Sequence, residues 1–236
     1  MVTDFHSHIL PGIDDGSGSV EESLEMLRLM GEQGITHVIA TPHFYPKYDS
    51  PAAFLERRDR AEEQLRQAMK GQEGLPEISI GAEVYFFRGI SESDVLSHLT
   101  IRGKRCILIE APDAPWSEEF YQELEAIWVR RGIMPIVAHI DRYIAPFRTH
   151  GIPERLARLP VMVQANGSFF QNRFTAGLAM KMLKRDQIQL LGSDCHGLLH
   201  RPPNLGPVLE QIRKKLGPET LERIRGYENE ILGESP

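Results

Sequence analysis

The chain has 236 residues, 41% hydrophobic and 25% charged, so it can bury a large core and falls among ordinary globular proteins. A formal net charge of -6 with no long basic block excludes a general nucleic-acid footprint. No apolar run approaches the ~18 residues of a transmembrane helix, the N-terminus lacks a signal-peptide layout, and Cys106 and Cys195 form neither a disulfide framework nor a CxxC pair; a cytoplasmic location without membrane insertion is expected.

In chain order, short β-rich apolar runs at 2–5, 36–41, 78–81, 106–109, 135–138, 161–165 and 189–192 read as buried parallel strands. Amphipathic segments separate them. Ser19-x-x-Glu22 is a capping-box pattern ahead of Leu24, Leu27 and Met30, with Gly34 at the expected end. Ser50-Pro51 opens a second helix that runs through Ala61, Leu65 and Met69 to Gly71. Tyr121, Leu124 and Trp128 space as the buried face of a third, closed at Gly132. No repeat, low-complexity tract or linker interrupts the pattern, so residues 1–236 read as a single domain. Successive β-then-α units imply an α/β fold, a closed parallel sheet with right-handed crossovers.

On that frame the chemistry-bearing residues gather at one place. His6 and His8 follow the first strand, His43 the second, Glu83 the third, Glu110 the fourth, His139 the fifth, and Asp194 with His196 the seventh. The C-terminal rim of a parallel barrel is where the following loops converge and where active sites are built. An isolated HxH reads as an incidental loop feature, and each of the others has its own bland role as a turn cap, a loop carboxylate or a core histidine. The set does not. His37, His98, His150 and His200 lie elsewhere and are read as structural or surface residues.

The motifs His6-Ser-His-Ile-Leu-Pro-Gly-Ile-Asp-Asp-Gly-Ser17, Ala40-Thr-Pro-His43, Gly81-Ala-Glu83, Ile109-Glu110, Ala138-His139 and Ser193-Asp-Cys-His196 resemble the polymerase-and-histidinol-phosphatase (PHP) superfamily. Within it, the first motif is most similar to the bacterial manganese-dependent protein-tyrosine phosphatases of capsule and exopolysaccharide loci. The resemblance implies a distorted (β/α)7, TIM-like barrel of the PHP fold holding up to three metal ions. By motif, one ion would take His6, His8, Glu83 and Asp194. A second would share Glu83 as a bridge with Glu110 and His139, and a third would take Asp15, His43 and His196, with Asp15 chosen over Asp14 by the motif. The resemblance also places Arg142 and Arg201 on the phosphate. It implies His-Pro-Glu-Arg at the fifth strand, where this chain has His139-Ile-Asp-Arg142, keeping the ring and the guanidinium but changing the loop.

The residue chemistry agrees. Imidazole and carboxylate without sulfur suit manganese, iron or zinc; the resemblance implies Mn2+, with Fe or Zn as alternatives. Three divalent ions over Asp15, Glu83, Glu110 and Asp194 would leave the site net positive and favour an anionic substrate. Arginine forks match phosphate oxygens bidentately. A metal-bridging hydroxide would attack phosphorus in line, with His43 or Asp194 available to move a proton. The resemblance implies phosphotyrosine in a protein as the substrate, with a bacterial tyrosine kinase of polysaccharide synthesis as the expected partner. Cys195 and Arg201 also show the C-x5-R spacing of cysteine-dependent phosphatases. Pro202-Pro203 biases Arg201 toward an extended conformation, and Cys195 lies between two expected ligands, so this spacing is read as coincidence. The alternatives are a phosphoesterase acting on a small ester such as histidinol phosphate, and a metal-binding regulatory module without turnover that docks on a kinase.

Overall fold

The computed structural model describes residues 2–144 and 151–233, so His150 lies outside the described residues. Nine strands form among them: β1 (Thr3–Ser7), β2 (His37–Ala40), β3 (His43–Phe44), β4 (Glu77–Ile80), β5 (Glu83–Tyr85), β6 (Cys106–Glu110), β7 (Met134–Val137), β8 (Met162–Asn166) and β9 (Leu190–Gly192). All pair in parallel, in the orders β1-β2-β4 and β3-β5-β6-β7-β8-β9. β3 and β5 are additions to the predicted set, and they continue β2 and β4. Pro42 has no N–H to donate and breaks the ladder. The run is nevertheless bridged by Thr41 N donating to Ser7 O (2.8 Å), Gly81 N to Ala40 O (2.8 Å) and Glu83 N to Pro42 O (3.0 Å). The nine strands therefore make seven staves. The first and last meet through a parallel bridge between Ser7 and Cys195, with Asp194 N donating to His6 O (2.8 Å) and His8 N to Cys195 O (3.0 Å).

Nine α-helices among the described residues cover the staves: α1 (Val20–Glu32), α2 (Pro51–Met69), α3 (Leu96–Leu99), α4 (Glu118–Arg131), α5 (Ile152–Leu156), α6 (Gly167–Gln171), α7 (Ala176–Lys184), α8 (Leu205–Leu216) and α9 (Pro218–Leu232). The barrel is distorted because the crossovers holding α3 and α5 contain only four and five α-helical residues. The first two predicted helices start as the sequence indicates, with Ser19 and Ser50 as N-caps accepting from Glu22 N and Ala53 N; the third ends at Gly132 as expected and begins at Ser117, which accepts from Phe120 N. Trp128 departs from the expected buried face. It is exposed, while Tyr121 and Leu124 are buried as expected and Phe120 and Ile127 complete the face, which is rotated toward Phe120.

Phe5, Ile39, Leu108, Ile136, Met162 and Leu190 fill the barrel interior, and Ile231 and Leu232 at the end of α9 join that cluster. A larger cluster, including Val38, Ile107, Val137 and Val163, packs the outer faces of the staves against the helices. β1 breaks this alternation. Its register against β2 slips between Asp4 and Ser7, so Asp4 pairs Val38 while Ser7 pairs Ala40. The extra residue lets Phe5 and then His6 and His8 all face inward, the re-aiming a bulge provides. No helix of the described residues is long and apolar enough to cross a membrane.

Glu228 of α9 is buried with its Oε2 unpartnered. Burial pushes its carboxyl up to about 7, against the opposing influence of the nearby Thr3. A carboxyl raised in the folded state binds its proton more tightly there than in the unfolded chain, so stability falls as pH rises from about 4.5 to 7. Glu228→Gln is expected to remove that slope and gain roughly 2 kcal/mol over wild type at pH 8, with little gain at pH 4.5. Urea midpoints at the two pH values measure it.

Candidate metal centre

The loop after β1 carries Asp14, Asp15 and Gly16 back over the barrel mouth. Gly16 is required there, since a Cβ would lie 2.3 Å from His8 O and 2.4 Å from His8 Cβ. Gly192 is required on the opposite side, where a Cβ would meet that of His6 at 2.5 Å. Of the four non-glycine residues with positive φ among those described, three belong to this mouth: His139 (30°), Asp194 (51°) and Arg201 (54°). Such backbone costs of order 1–3 kcal/mol per residue and persists where surrounding contacts enforce it. At His139 the turn has a geometric purpose. Ala138 already faces the interior, so strand alternation would send the next side chain outward, and the left-handed residue brings it back in. Arg201 corrects the extended conformation expected before Pro202.

The predicted residues from six staves converge. Glu83 is central: its Oε2 lies 3.1 Å from His6 Nε2, 3.3 Å from His8 Nε2 and 3.0 Å from His43 Nδ1, and its Oε1 lies 2.7 Å from His139 Nε2. Asp194 Oδ1 is 3.6 and 3.5 Å from the same nitrogens of His6 and His8. Asp15 Oδ1 is 3.5 Å from His43 Nε2 and 3.4 Å from His196 Nε2, and Glu110 Oε1 is 3.8 Å from His139 Nε2. Four groups have donor atoms mutually within 4.8 Å: His8-Asp15-His43-His196, His6-His8-Asp194, His6-Glu83-His139 and His43-Glu83-Glu110. Sharing is wider than the motif implies, because His6, His8 and His43 each enter two groups.

Asp14 and Asp15 separate by orientation. Asp14 Oδ2 sits 2.8 Å from His8 Nδ1 and accepts from His43 N (3.0 Å), behind the ring rather than in front of it. Asp15 is two-thirds exposed and faces the cluster. β8, which carries none of the predicted residues, supplies the other support. Gln164 Oε1 lies 3.3 Å from His6 Nδ1 and accepts from His139 N (2.6 Å), while its Nε2 donates to Asn166 Oδ1 (3.0 Å). Asn166 Nδ2 donates to Asp194 Oδ2 (2.9 Å), and Asn166 N donates to Asp141 Oδ1 (2.9 Å), the residue that distinguishes the His139-Ile-Asp-Arg142 loop. The sequence signal was a Gln-Ala-Asn alternation inside an otherwise apolar run.

This arrangement suits divalent cations. With Nδ1 of His6 and of His8 turned toward acceptors, both rings aim Nε2 inward, where the two nitrogens lie 3.1 Å apart. Against their burial, Glu83 and Asp194 raise His6, and Asp14 and Glu83 raise His8 to about 10, so a bound cation would take the place of a proton on each ring. Glu83 Oε2, Asp194 Oδ1 and His196 Nε2 are buried and make no hydrogen bond. Burial would raise Glu83, yet His6, His139 and His43 hold its carboxyl well below the usual range. Burial and the charge of Glu83 raise Glu110. Burial and His8 push His196 down to about 4. Carboxylates and neutral imidazoles are the forms that bind metal.

Two arginines stand at the mouth. Arg142 Nη2 lies 2.5 Å and Arg201 Nη1 3.3 Å from Asp194 Oδ2, and their other nitrogens approach Glu110 Oε1 (3.7 Å) and Asp15 Oδ2 (3.6 Å). Both side chains are partly exposed, so donors remain for a ligand. Cys195 is fully buried in the outer core, and burial pushes its thiol far up, which removes it as a nucleophile. The histidines set aside in the sequence stay apart: His37 bonds Ser79 Oγ (2.9 Å), and His98 and His200 are exposed.

The sequence profile described as "Capsular polysaccharide synthesis, CpsB/CapC" matches residues 2–232. The chain belongs to the CpsB/CapC family. Among relatives in that family, it is 28% identical to the tyrosine-protein phosphatase CpsB of Streptococcus pneumoniae, over 94% of this chain and 93% of the relative. It is also 28% identical to the tyrosine-protein phosphatase YwqE of Bacillus subtilis (strain 168), over 92% and 85%. A crystal structure from work on YwqE and CpsB, described there as unique metal-dependent tyrosine phosphatases, superposes with a TM-score of 0.80 at 22% identity, covering all of this chain and 96% of the other. An organophosphorus hydrolase variant shares the barrel at a TM-score of 0.51 and 14% identity, covering 94% and 89%.

Proposed function

We propose that this CpsB/CapC-family chain is a metal-dependent phosphatase that hydrolyses phosphotyrosine in proteins, acting as one domain and with a tyrosine kinase of polysaccharide synthesis as its substrate. The observation that carries this reading is the convergence at one barrel mouth of a histidine–carboxylate cluster and two arginine forks. His6, His8, Glu83 and Asp194 would hold one ion; Glu83, Glu110 and His139 a second; Asp15, His43 and His196 a third, with His8 against its edge. Asp14 stands as the partner of His8 rather than as a ligand. Manganese, iron or zinc suits such oxygen and nitrogen donors. Bound divalent cations supply Lewis acidity and acidify a water molecule at neutral pH.

The chain's own residues do the rest. Arg142 and Arg201, which meet at Asp194 Oδ2, would neutralise the non-bridging phosphate oxygens, whose charge persists through a loose transition state. Asp14 and Gln164 fix the tautomers of His8 and His6 so that each presents Nε2 inward. Asp194, held below the usual range by His6 and Arg142 despite its burial, stays ionised at neutral pH. A phenolic leaving group with a pKa of about 10 needs less protonation than an alkoxide.

The test is an assay of the purified protein with added Mn2+, on a phosphotyrosyl peptide, a phosphoseryl peptide and histidinol phosphate. Preference for the phosphotyrosyl peptide, abolished by chelation and restored by metal, is the expected result. Preference for histidinol phosphate would replace protein by a small ester, and no turnover on any substrate would leave a binding module.

Gln164→Leu is expected to weaken metal affinity by about tenfold to a hundredfold, because both His6 Nδ1 and His139 N lose their acceptor. Metal titration of the variant measures this without reference to turnover.

A further inference from the structure

Beside His43 the mouth opens into a groove of 670 Å³ walled by Tyr45, Tyr48, Tyr85, Phe86 and Phe87, with Lys47 its one charged lining residue. His43 and Glu83 are register partners on β3 and β5. Tyr45 and Tyr85 come two residues later on these neighbouring staves, on the same faces and about 6.6 Å nearer the rim. The Tyr45 ring stacks on His43 at 5.0 Å, and its hydroxyl lies 3.2 Å from His43 Nδ1. The Tyr85 ring is 5.7 Å from that of Tyr45. Phe86 and Phe87 pack down on the core and make a fixed floor, while Tyr48 stands 80% exposed at the outer edge. A second hollow shares Tyr45 and Tyr48 with this groove and reaches Asp15 and His43 of the cluster, with Asp14, Asp49 and Arg57 also in its lining.

We propose that the groove is an aryl subsite, holding the phenyl ring of the phosphotyrosine whose phosphoryl group lies at the cluster; the inference rests on the phosphatase reading above. The step from Glu83 to Tyr85 matches the scale of a phosphorylated phenyl group. Aromatic walls favour a ring in offset or edge-on contact. The absence of carboxylates from the lining of the aromatic groove itself suits a neutral ring rather than a cation. A phosphoserine is too short to span this step and would bring polar peptide backbone against the aromatic wall. The groove therefore selects aryl over alkyl esters through contact with the ring.

Inhibition by phenylphosphonate and methylphosphonate, read on the Mn2+-loaded full chain with phenyl phosphate as substrate, isolates the ring. Wild type is expected to bind phenylphosphonate more tightly. Tyr85→Ala should shrink the ratio of the two inhibition constants by about tenfold, and Tyr85→Phe should restore it. Tyr48→Ala, at an exposed position that leaves folding intact, should shrink it by about threefold. An unchanged ratio in Tyr48→Ala and in every folded Tyr85 variant overturns the subsite while leaving the phosphatase standing. A wild-type chain that hydrolyses no phosphate ester overturns both.

Discussion

Glu83→Ala is expected to lower kcat/KM by roughly a thousandfold, equivalent to about 4 kcal/mol of transition-state stabilisation. Four imidazole nitrogens lie within 3.3 Å of this one carboxylate, so its loss removes the negative charge shared by two proposed ion positions. His6→Ala should remove mainly one ion and leave more activity. Metal stoichiometry and turnover, measured together on both variants, separate these outcomes. Retention of both neighbouring ions and near-normal turnover in Glu83→Ala would show that the carboxylate does not bridge.

Arg201→Lys is expected to lower kcat/KM by about tenfold to a hundredfold, with metal content and melting temperature close to wild type. Lysine keeps the charge but loses the planar fork, and a charge-assisted bond of this kind is worth ~1.5 to 3 kcal/mol. Arg201 reaches Asp194 Oδ2 with one nitrogen and Asp15 with the other from an exposed backbone position, so truncating the fork leaves the core untouched. Equal losses on a phosphotyrosyl peptide and on a small aryl phosphate would place the side chain at the phosphate. A loss on the peptide alone would place it at the protein substrate, and no loss on either would remove it from the site.

The strands and the site were legible in the sequence for different reasons. Parallel strands buried on both faces are short apolar runs, and polar residues at their C-terminal ends stand out against them. His43 and Glu83 were found this way even though each begins a short strand of its own beyond Pro42 and Gly81. The orientation of His6 and His8 was harder to see, because the slip in β1 depends on its pairing with β2. Gln164 and Asn166 were passed over because amides carry no metal signal, and their meaning lies in His6, His139 and Asp194 on other staves. Trp128 misled because helical spacing allows adjacent faces, and only packing on β7 and its neighbours selects the one around Phe120 and Ile127.

The seam between the first and last staves has a consequence for synthesis. His8 N donates to Cys195 O, Asp194 N to His6 O, and Ser193 N to Asp4 Oδ1, joining residues separated by 187 to 189 positions. Contacts of such long sequence separation form late, after most of the chain's entropy has been lost. His6 and His8 leave the ribosome early, but Asp194 and His196 follow only when most of the chain has been made. A nascent or truncated chain that stops before β9 therefore lacks two of the nine predicted metal-site residues and has an open barrel, and phosphatase activity can appear only after translation has passed β9 and the seam has closed.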